Sequence, residues 1–277
     1  MNAMTPEDRR ALKEAVRLLE HPGFAARLAN LVGQPFEKAL GSLPEKFSEP
    51  IHQTVTTAIQ RALDVAVSKL DPQVRRPSTD RKHRLLTAVT GSVGGFFGLP
   101  ALVLELPVTT TVMLRSIAEI ARSEGEDIND PEVRLACLEV FALGGRQEGD
   151  DSTETGYYAV RAVLARAITD AARYISERGV AEQGAPVLVR LIAAISARFG
   201  IVVTEKAAAV AVPVIGALGA AAINLVFMEH FQSIAHGHFT VRRLERTYGL
   251  DVVRAEYERC REELLEARRI GREYVRV

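Results

Sequence analysis

Apolar positions recur at helical spacing along most of the chain, and two long uncharged stretches interrupt this amphipathic pattern. The first runs from Leu85 to Leu104 and the second from Ala207 to Met228. Each is close to the length of about 20 residues that a membrane-spanning helix needs. Both contain proline and several small residues, so two interpretations are open. The stretches are either buried helices of a soluble bundle or a hairpin that dips into or crosses a bilayer.

Helix start and stop signals are frequent between and around these stretches. Thr5 followed by Pro6 predicts a capped helix start, and Asp130 followed by Pro131 predicts another. A break is expected at Gly33–Pro35. No alternating strand pattern is present. The sequence therefore predicts an all-α fold, a multi-helix bundle with two central glycine-rich apolar helices packed against each other.

The spacing of the glycines supports this packing. Gly91 and Gly95 are four residues apart, and Gly216 and Gly219 give the second stretch a similar small surface. Small residues at this spacing let two helix backbones approach closely, in lipid or in a protein core. A bulky residue at Gly95, such as leucine, is therefore expected to disrupt the fold.

The end of the chain forms the cleanest amphipathic helix, with arginine and glutamate between its apolar positions. Its seam is Val253, Tyr257, Cys260, Leu264, Ala267, Gly271 and Tyr274. Such a narrow seam packs either against the protein's own bundle or, as a coiled coil, against a partner or a second copy.

The chain is expected to form a single helical domain over residues 1–277. Its front half is about 1–143, an acidic glycine-bearing loop covers about 144–156, and the back half is about 157–277. Each half contains one uncharged stretch, so the halves are expected to pack together.

Composition narrows the function classes. The formal net charge is zero, which disfavours non-specific nucleic-acid binding. Two scattered cysteines are typical of a reducing compartment. The first residues form a charged amphipathic helix rather than a signal peptide. Basic residues at 81–84 and 242–246 flank the stretches, as expected for a membrane-facing cytoplasmic side.

Glu105 is unusual because large aliphatic residues surround it. A buried carboxylate is costly unless it is paired or hydrogen-bonded. Two structural roles are open: a salt bridge to an arginine, with Arg115 as one possible partner, or a cap for a helix that starts near Pro107. The functional alternative is a polar site inside an apolar cleft.

A second group of polar residues follows the later stretch: Asn224, Glu229, His230, His236 and His238. A histidine and glutamate metal site is imaginable here, but no HExxH motif is present, and ordinary polar chemistry at a helix end is the simpler interpretation. No dinucleotide, phosphate-loop or serine-elbow motif is found. No metal or cofactor is therefore expected.

Residues 94–111, GGFFGLPALVLELPVTTT, together with 114–121 and 137–145, resemble the EcsC family of bacterial proteins. Residues 216–249 extend this resemblance. It implies no catalytic residues. The family's namesake is encoded beside ABC transporter subunits, which implies a membrane-linked role. Candidates for a functional or architectural role are Gly95, Phe96, Phe97, Pro100, Glu105, Pro107, Arg115, Asn224, Glu229 and His230.

Three hypotheses follow. The first is a non-enzymatic accessory or regulatory protein that is peripheral to the cytoplasmic face of the inner membrane, with a membrane surface or membrane protein as its partner. The second is a soluble helical carrier that holds a lipid or isoprenoid-like ligand between the apolar helices. The third is an enzyme that uses Glu105 with His230 or His236, and it is the least supported because no complete set of reactive groups can be named.

Overall fold

A computed structural model describes residues 4–20, 23–41, 45–68, 99–145, 156–178, 185–212 and 216–275 of the protein. These residues form ten α-helices and one 3₁₀ turn, with no strand among them, which confirms the predicted all-α multi-helix bundle. The helices are α1 (Pro6–Leu19), α2 (Phe24–Val32), α3 (Gln34–Gly41), α4 (Ser48–Ser68), α5 (Leu99–Ser123), α6 (Pro131–Leu143), α7 (Gly156–Arg178), α8 (Pro186–Val210), α9 (Gly216–Tyr248) and α10 (Leu250–Val275).

Local signals set several helix boundaries as predicted. The Thr5 side chain accepts a hydrogen bond from the Asp8 backbone, and Asp130 accepts one from the Glu132 backbone, so each satisfies a free N–H of a first turn. Gly33, with a φ of 76°, separates α2 from α3. These boundaries depend on neighbouring residues alone, which is why the sequence indicates them.

The helix α9 is central to the bundle and contacts α1, α2, α5, α6, α8 and α10. Its buried face contributes Phe227 and Phe231 to a cluster that also contains Phe24, Phe141 and Phe199, with ring centroids 5.0 to 6.2 Å apart. Aromatic pairs at these separations contribute beyond the area they bury. Helices from the predicted front and back halves thus share one core.

Close backbone approach is found at glycines near this core. A Cβ on Gly145, just after α6, would overlap the backbone of Arg198 on α8. A Cβ on Gly237 of α9 would lie 2.7 Å from Cγ of Leu19 on α1. Neither glycine was singled out from the sequence, and the predicted contacts at Gly91 and Gly95 lie outside the described residues.

The second uncharged stretch is not one helix, which corrects the prediction for Ala207–Met228. The helix α8 ends at Val210, with Ala211 as its C-cap, and α9 begins at Gly216. The residue before a proline is disfavoured in helical geometry, and Pro213 follows Val212 directly in the sequence. The stretch therefore supplies the end of one helix and the start of another.

The first and last helices, α1 and α10, pack against each other and against α9. Lys13 pairs with Glu263 at 2.7 Å, and the Tyr257 hydroxyl donates to Glu20 at 2.8 Å. The predicted seam of the last helix is buried at Val253, Tyr257 and Cys260. Leu264 is partly buried and Ala267 is exposed, so the first half of the seam packs against the protein's own bundle, as the simpler of the two interpretations of its periodicity predicts.

Candidate functional site

Three helices meet at Glu105, whose carboxylate binds side chains from two of them. Its Oε1 atom accepts a hydrogen bond from Asn224 Nδ2 of α9 at 2.7 Å and from Lys206 Nζ of α8 at 3.1 Å. The Thr109 hydroxyl, one turn further along α5, donates to the same oxygen at 3.1 Å. We call Glu105, Lys206 and Asn224 the Glu105 cluster.

Burial removes the charged groups of this cluster from water, so they must stabilise each other. The Lys206 side chain is 1% exposed and that of Glu105 is 12% exposed. Burial lowers the pKa of Lys206, while the adjacent Glu105 carboxylate acts in the opposite direction. The ammonium also lies 4.6 Å from the ring centroid of Phe227, where a cation is attracted to the ring face. The lysine is therefore held between one carboxylate and one aromatic ring.

Both structural roles expected for Glu105 need correction. Arg115 is exposed and is not its partner, because the side chain that reaches the carboxylate is a lysine of α8. No helix starts near Pro107. The helix α5 continues through this buried proline, which removes one backbone donor, while the Thr111 hydroxyl donates to the Pro107 carbonyl oxygen at 2.9 Å. Glu105 is thus inside a helix rather than at its cap.

Lys206 is the member of the cluster that the sequence analysis did not identify. It directly precedes the second uncharged stretch, and the pair Glu205 and Lys206 lies between the aliphatic run 201–203, followed by Thr204, and the alanines 207–209. A basic residue with aliphatic residues on both sides in the sequence is the counterpart of Glu105, and this pattern could have identified Lys206.

An apolar groove of about 210 Å³ opens beside the cluster. It lies between the start of α4 and the start of α5, with Val203 of α8 at its base. The lining residues are Phe47, Pro50, Ile51, Thr54, Leu102, Val103, Leu106 and Val203. The groove exposes almost no hydrogen-bonding group, so it suits an aliphatic ligand.

The outer face of the same end of α5 is also apolar. Leu104 is 80% exposed, Val108 is 49% exposed and Val103 is 39% exposed. Leu104 and Val108 are one helical turn apart and lie on the same face. We call Val103, Leu104 and Val108 the α5 patch. Leu102, by contrast, is buried inside the bundle.

The other polar candidates do not join the Glu105 cluster. His230 Nε2 lies 2.9 Å from the Gly144 carbonyl oxygen, and its ring packs against Phe24. His230 is six positions after Asn224, about 9 Å along α9. Glu229 and His236 are half-buried. Among the described residues, no group of three histidine, cysteine or acidic side chains could hold a metal ion.

The remaining candidates concern the first uncharged stretch. Gly95, Phe96 and Phe97 lie outside the described residues, and Pro100 occupies the second position of α5. A proline is tolerated in the first turn because the N–H there has no helical partner. The structure therefore brings together Glu105 and Asn224 from the predicted set and leaves Arg115, Glu229 and His230 apart from them.

One of the described helices, Pro186–Val210, is long and apolar enough to cross a membrane, and 44% of its apolar window is buried in the bundle. Comparison with known families finds that the model of the EcsC protein family matches residues 7–244. No curated protein and no solved structure matches the chain.

Proposed function

The chain belongs to the EcsC protein family, and from this premise we propose that it is a non-enzymatic accessory or regulatory protein of the membrane. It binds the cytoplasmic face of the bilayer through the amino-terminal end of α5. Its target there is the lipid surface itself or a membrane protein such as an ABC transporter.

The observation that supports this proposal most directly is the α5 patch. Exposed single aliphatic residues are common, but here three lie within two turns of one helix. The patch also continues the uncharged sequence that begins at Leu85, and basic residues at 81–84 precede that sequence. An aliphatic surface together with basic residues in the preceding sequence is the combination that binds anionic lipid.

The helix boundaries favour surface binding over a threaded hairpin. The second uncharged stretch is divided between α8 and α9, so it offers no single crossing helix. The helix α8, which has suitable length and composition, contacts α2, α3, α4, α6 and α7. It also places the buried Lys206 against Glu105. Inserting α8 into lipid would break these contacts.

Vesicle flotation tests the proposal. Wild-type protein should float with vesicles of phosphatidylglycerol and phosphatidylcholine, and Leu104→Glu should weaken binding by about 10- to 100-fold, the value of burying one leucine side chain. Val163→Glu is a matched control, because Val163 is 78% exposed on α7. A wild-type protein that stays with the soluble fraction, or a Leu104→Glu variant that floats normally, contradicts the proposal.

The apolar groove favours a second candidate function, that of a carrier for a lipid or isoprenoid-like ligand. Its volume of about 210 Å³ and its aliphatic lining suit part of an acyl or prenyl chain. Glu105 lies in the turn between the lining residues Leu102 and Leu106, and it is the closest charged group that could orient such a ligand.

Native mass spectrometry and titration with a fluorescent fatty acid test this candidate. Leu102→Trp should fill the groove and abolish saturable binding, while flotation with vesicles persists. Absence of lipid from the purified protein, together with no saturable binding of the probe, counts against the carrier function without affecting the membrane proposal.

A further inference from the structure

A second cavity lies at the far end of the bundle, between α6, α7, α9 and α10, and has a volume of about 380 Å³. Its charged lining residues are Glu132, Glu139, Arg161, Arg242 and Arg254, while alanines of α6 and α7 and Ile168 form its apolar wall. We call it the four-helix pocket. Its size and mixed lining fall in the range of small-molecule sites.

The three arginines differ in how far they are already neutralised. Arg161 donates both Nη groups to Glu245, at 2.7 and 3.0 Å. Arg242 is bonded to Glu126 through Nε alone, at 2.7 Å, which leaves its terminal amino groups for another acceptor. Arg254 is exposed, with its Cζ 5.6 Å from the ring centroid of Tyr158.

No carboxylate within the described part of the chain pairs with Arg254. The pocket therefore presents guanidinium donors toward its opening. Guanidinium groups match carboxylate and phosphate oxygens in geometry and charge. An anion is the ligand that these donors favour.

The floor of the pocket holds a carboxyl group without a hydrogen bond. The Glu139 side chain is 5% exposed, and the ring atom His238 Nε2 lies 3.8 Å from its Oε2 atom, beyond hydrogen-bond distance. Within the described residues, no hydrogen bond to the Glu139 carboxyl is found, and it lines the pocket, while the neighbouring His238 Nε2 is buried without a hydrogen-bond partner. Buried polar groups are nearly always paired in native proteins, so such an exception calls for an explanation.

The environment of this carboxyl also sets its protonation. Burial raises the pKa of Glu139 to about 7. Burial, with the cations Arg161 and Arg242, lowers the pKa of His238 well below its usual value, so the imidazole is neutral and bonded through Nδ1 to Tyr157 at 3.0 Å. Near neutral pH, Glu139 therefore has an acceptor oxygen for a ligand hydroxyl or amine.

We propose that the four-helix pocket binds a small soluble anion, a phosphate or carboxylate that also carries a hydroxyl or amino group. Arg254 and the terminal amino groups of Arg242 bind the anionic end, and Glu139 binds the hydroxyl or amine. The alanines and Ile168 contact the carbon atoms between these two ends.

The position of the pocket distinguishes a free metabolite from a lipid headgroup with the same chemistry. Arg242 lies 18 positions after Asn224 on α9, about 27 Å along the helix. The pocket is therefore distant from the α5 patch and from the bilayer that the patch is proposed to bind. The ligand is therefore expected to be free in solution. This choice between a free ligand and a lipid headgroup rests on the membrane proposal, whereas the preference of the pocket for an anion does not.

Isothermal titration calorimetry with the full chain tests the inference. Glycerol phosphate and phosphoethanolamine should bind, inorganic phosphate should bind more weakly, and glycerol should not bind at millimolar concentration. Arg254→Gln should weaken binding of glycerol phosphate by about tenfold or more. Arg166→Gln is the control, since Arg166 is 93% exposed on the same pocket helix α7 but lies outside the lining.

Glu139→Leu tests the contact with the hydroxyl or amine separately from the contact with the anionic end of the ligand. The variant is expected to fold, because the substitution removes a buried polar group. It should bind glycerol phosphate only as well as inorganic phosphate. No binding of any probe by the wild type, or equal binding by wild type and Arg254→Gln, overturns the proposal. Binding of phosphatidylglycerol vesicles through this pocket, without binding of free glycerol phosphate, overturns the assignment to a soluble ligand.

Discussion

The Glu105 cluster gives the sharpest test of how the bundle is stabilised. Glu105→Gln removes one negative charge but keeps a carbonyl oxygen that Asn224 and Thr109 can still bond. Lys206, whose side chain is 1% exposed, then becomes a buried cation without a counter-ion. Removing one partner of a buried ion pair costs about 3 to 5 kcal/mol.

The ionisation of Lys206 sets an upper limit on this cost. A lysine can escape an unpaired buried charge by losing its proton, and from the ordinary value of 10.5 this costs about 5 kcal/mol at pH 7. At pH 9 the same deprotonation costs only about 2 kcal/mol. We expect Glu105→Gln to destabilise the fold by about 3 kcal/mol at pH 7.

The pH dependence of this penalty follows from the lysine. The folded variant holds Lys206 with a strongly depressed pKa, so the unfolded chain binds more protons and stability rises with pH. The penalty should therefore shrink between pH 7 and pH 9. Wild-type protein, in which Glu105 supports the charged lysine, should show a smaller rise.

A double-mutant cycle measured by urea denaturation completes the test. Lys206→Met should cost about 2 kcal/mol, because Glu105 keeps two donors and some exposure, and the double variant should cost only about 1 kcal/mol. For a slope near 3 kcal/mol per M, the Glu105→Gln midpoint falls by about 1 M. Additive single effects, or a penalty that does not change with pH, would refute the idea that the buried charge dominates.

Two further predictions concern other parts of the core. Gly145→Ala should lower the free energy of unfolding by about 3 kcal/mol or more, because the new methyl group meets the backbone of Arg198. The control Gly200→Ala, with open space around the new methyl group, should raise the free energy of unfolding by up to about 1 kcal/mol. Equal shifts of the two melting temperatures would contradict this prediction. A second prediction compares wild type with Glu139→Gln. The folded protein holds the Glu139 proton up to about pH 7, whereas the unfolded chain releases it at lower pH. Relative to the variant, the free energy of unfolding of wild type should therefore fall by about 3 kcal/mol as the pH rises from 4.5 to 7. A difference in urea midpoints that stays constant with pH would argue that Glu139 is solvated.

The sequence predicts those helix boundaries that neighbouring residues determine. Thr5, Asp130 and Gly33 act through their own backbone and side-chain geometry, so their signals are local. The continuation of α5 through Pro107 is not local. The helix α5 packs against α4 and α9, and no pattern within α5 alone reveals these contacts.

The candidate site was predicted in part for a similar reason. Glu105 is visible as a carboxylate among aliphatic residues, but its partner Lys206 lies 101 positions away, and only the fold brings them together. Glu139, in CLEVFAL, has the same sequence signature as Glu105, yet the sequence analysis did not single it out. Applying one criterion throughout would have found both buried carboxylates.

The packing of α1 against the last two helices, α9 and α10, has a consequence for biosynthesis. The apolar face of α1, which includes Leu12 and Val16, leaves the ribosome long before α9 and α10 exist to cover it. At about 5 to 20 residues per second, this face waits roughly 10 to 40 s for α9. The nascent chain therefore presents an uncovered amphipathic segment to chaperones, or to a nearby bilayer, throughout most of its translation.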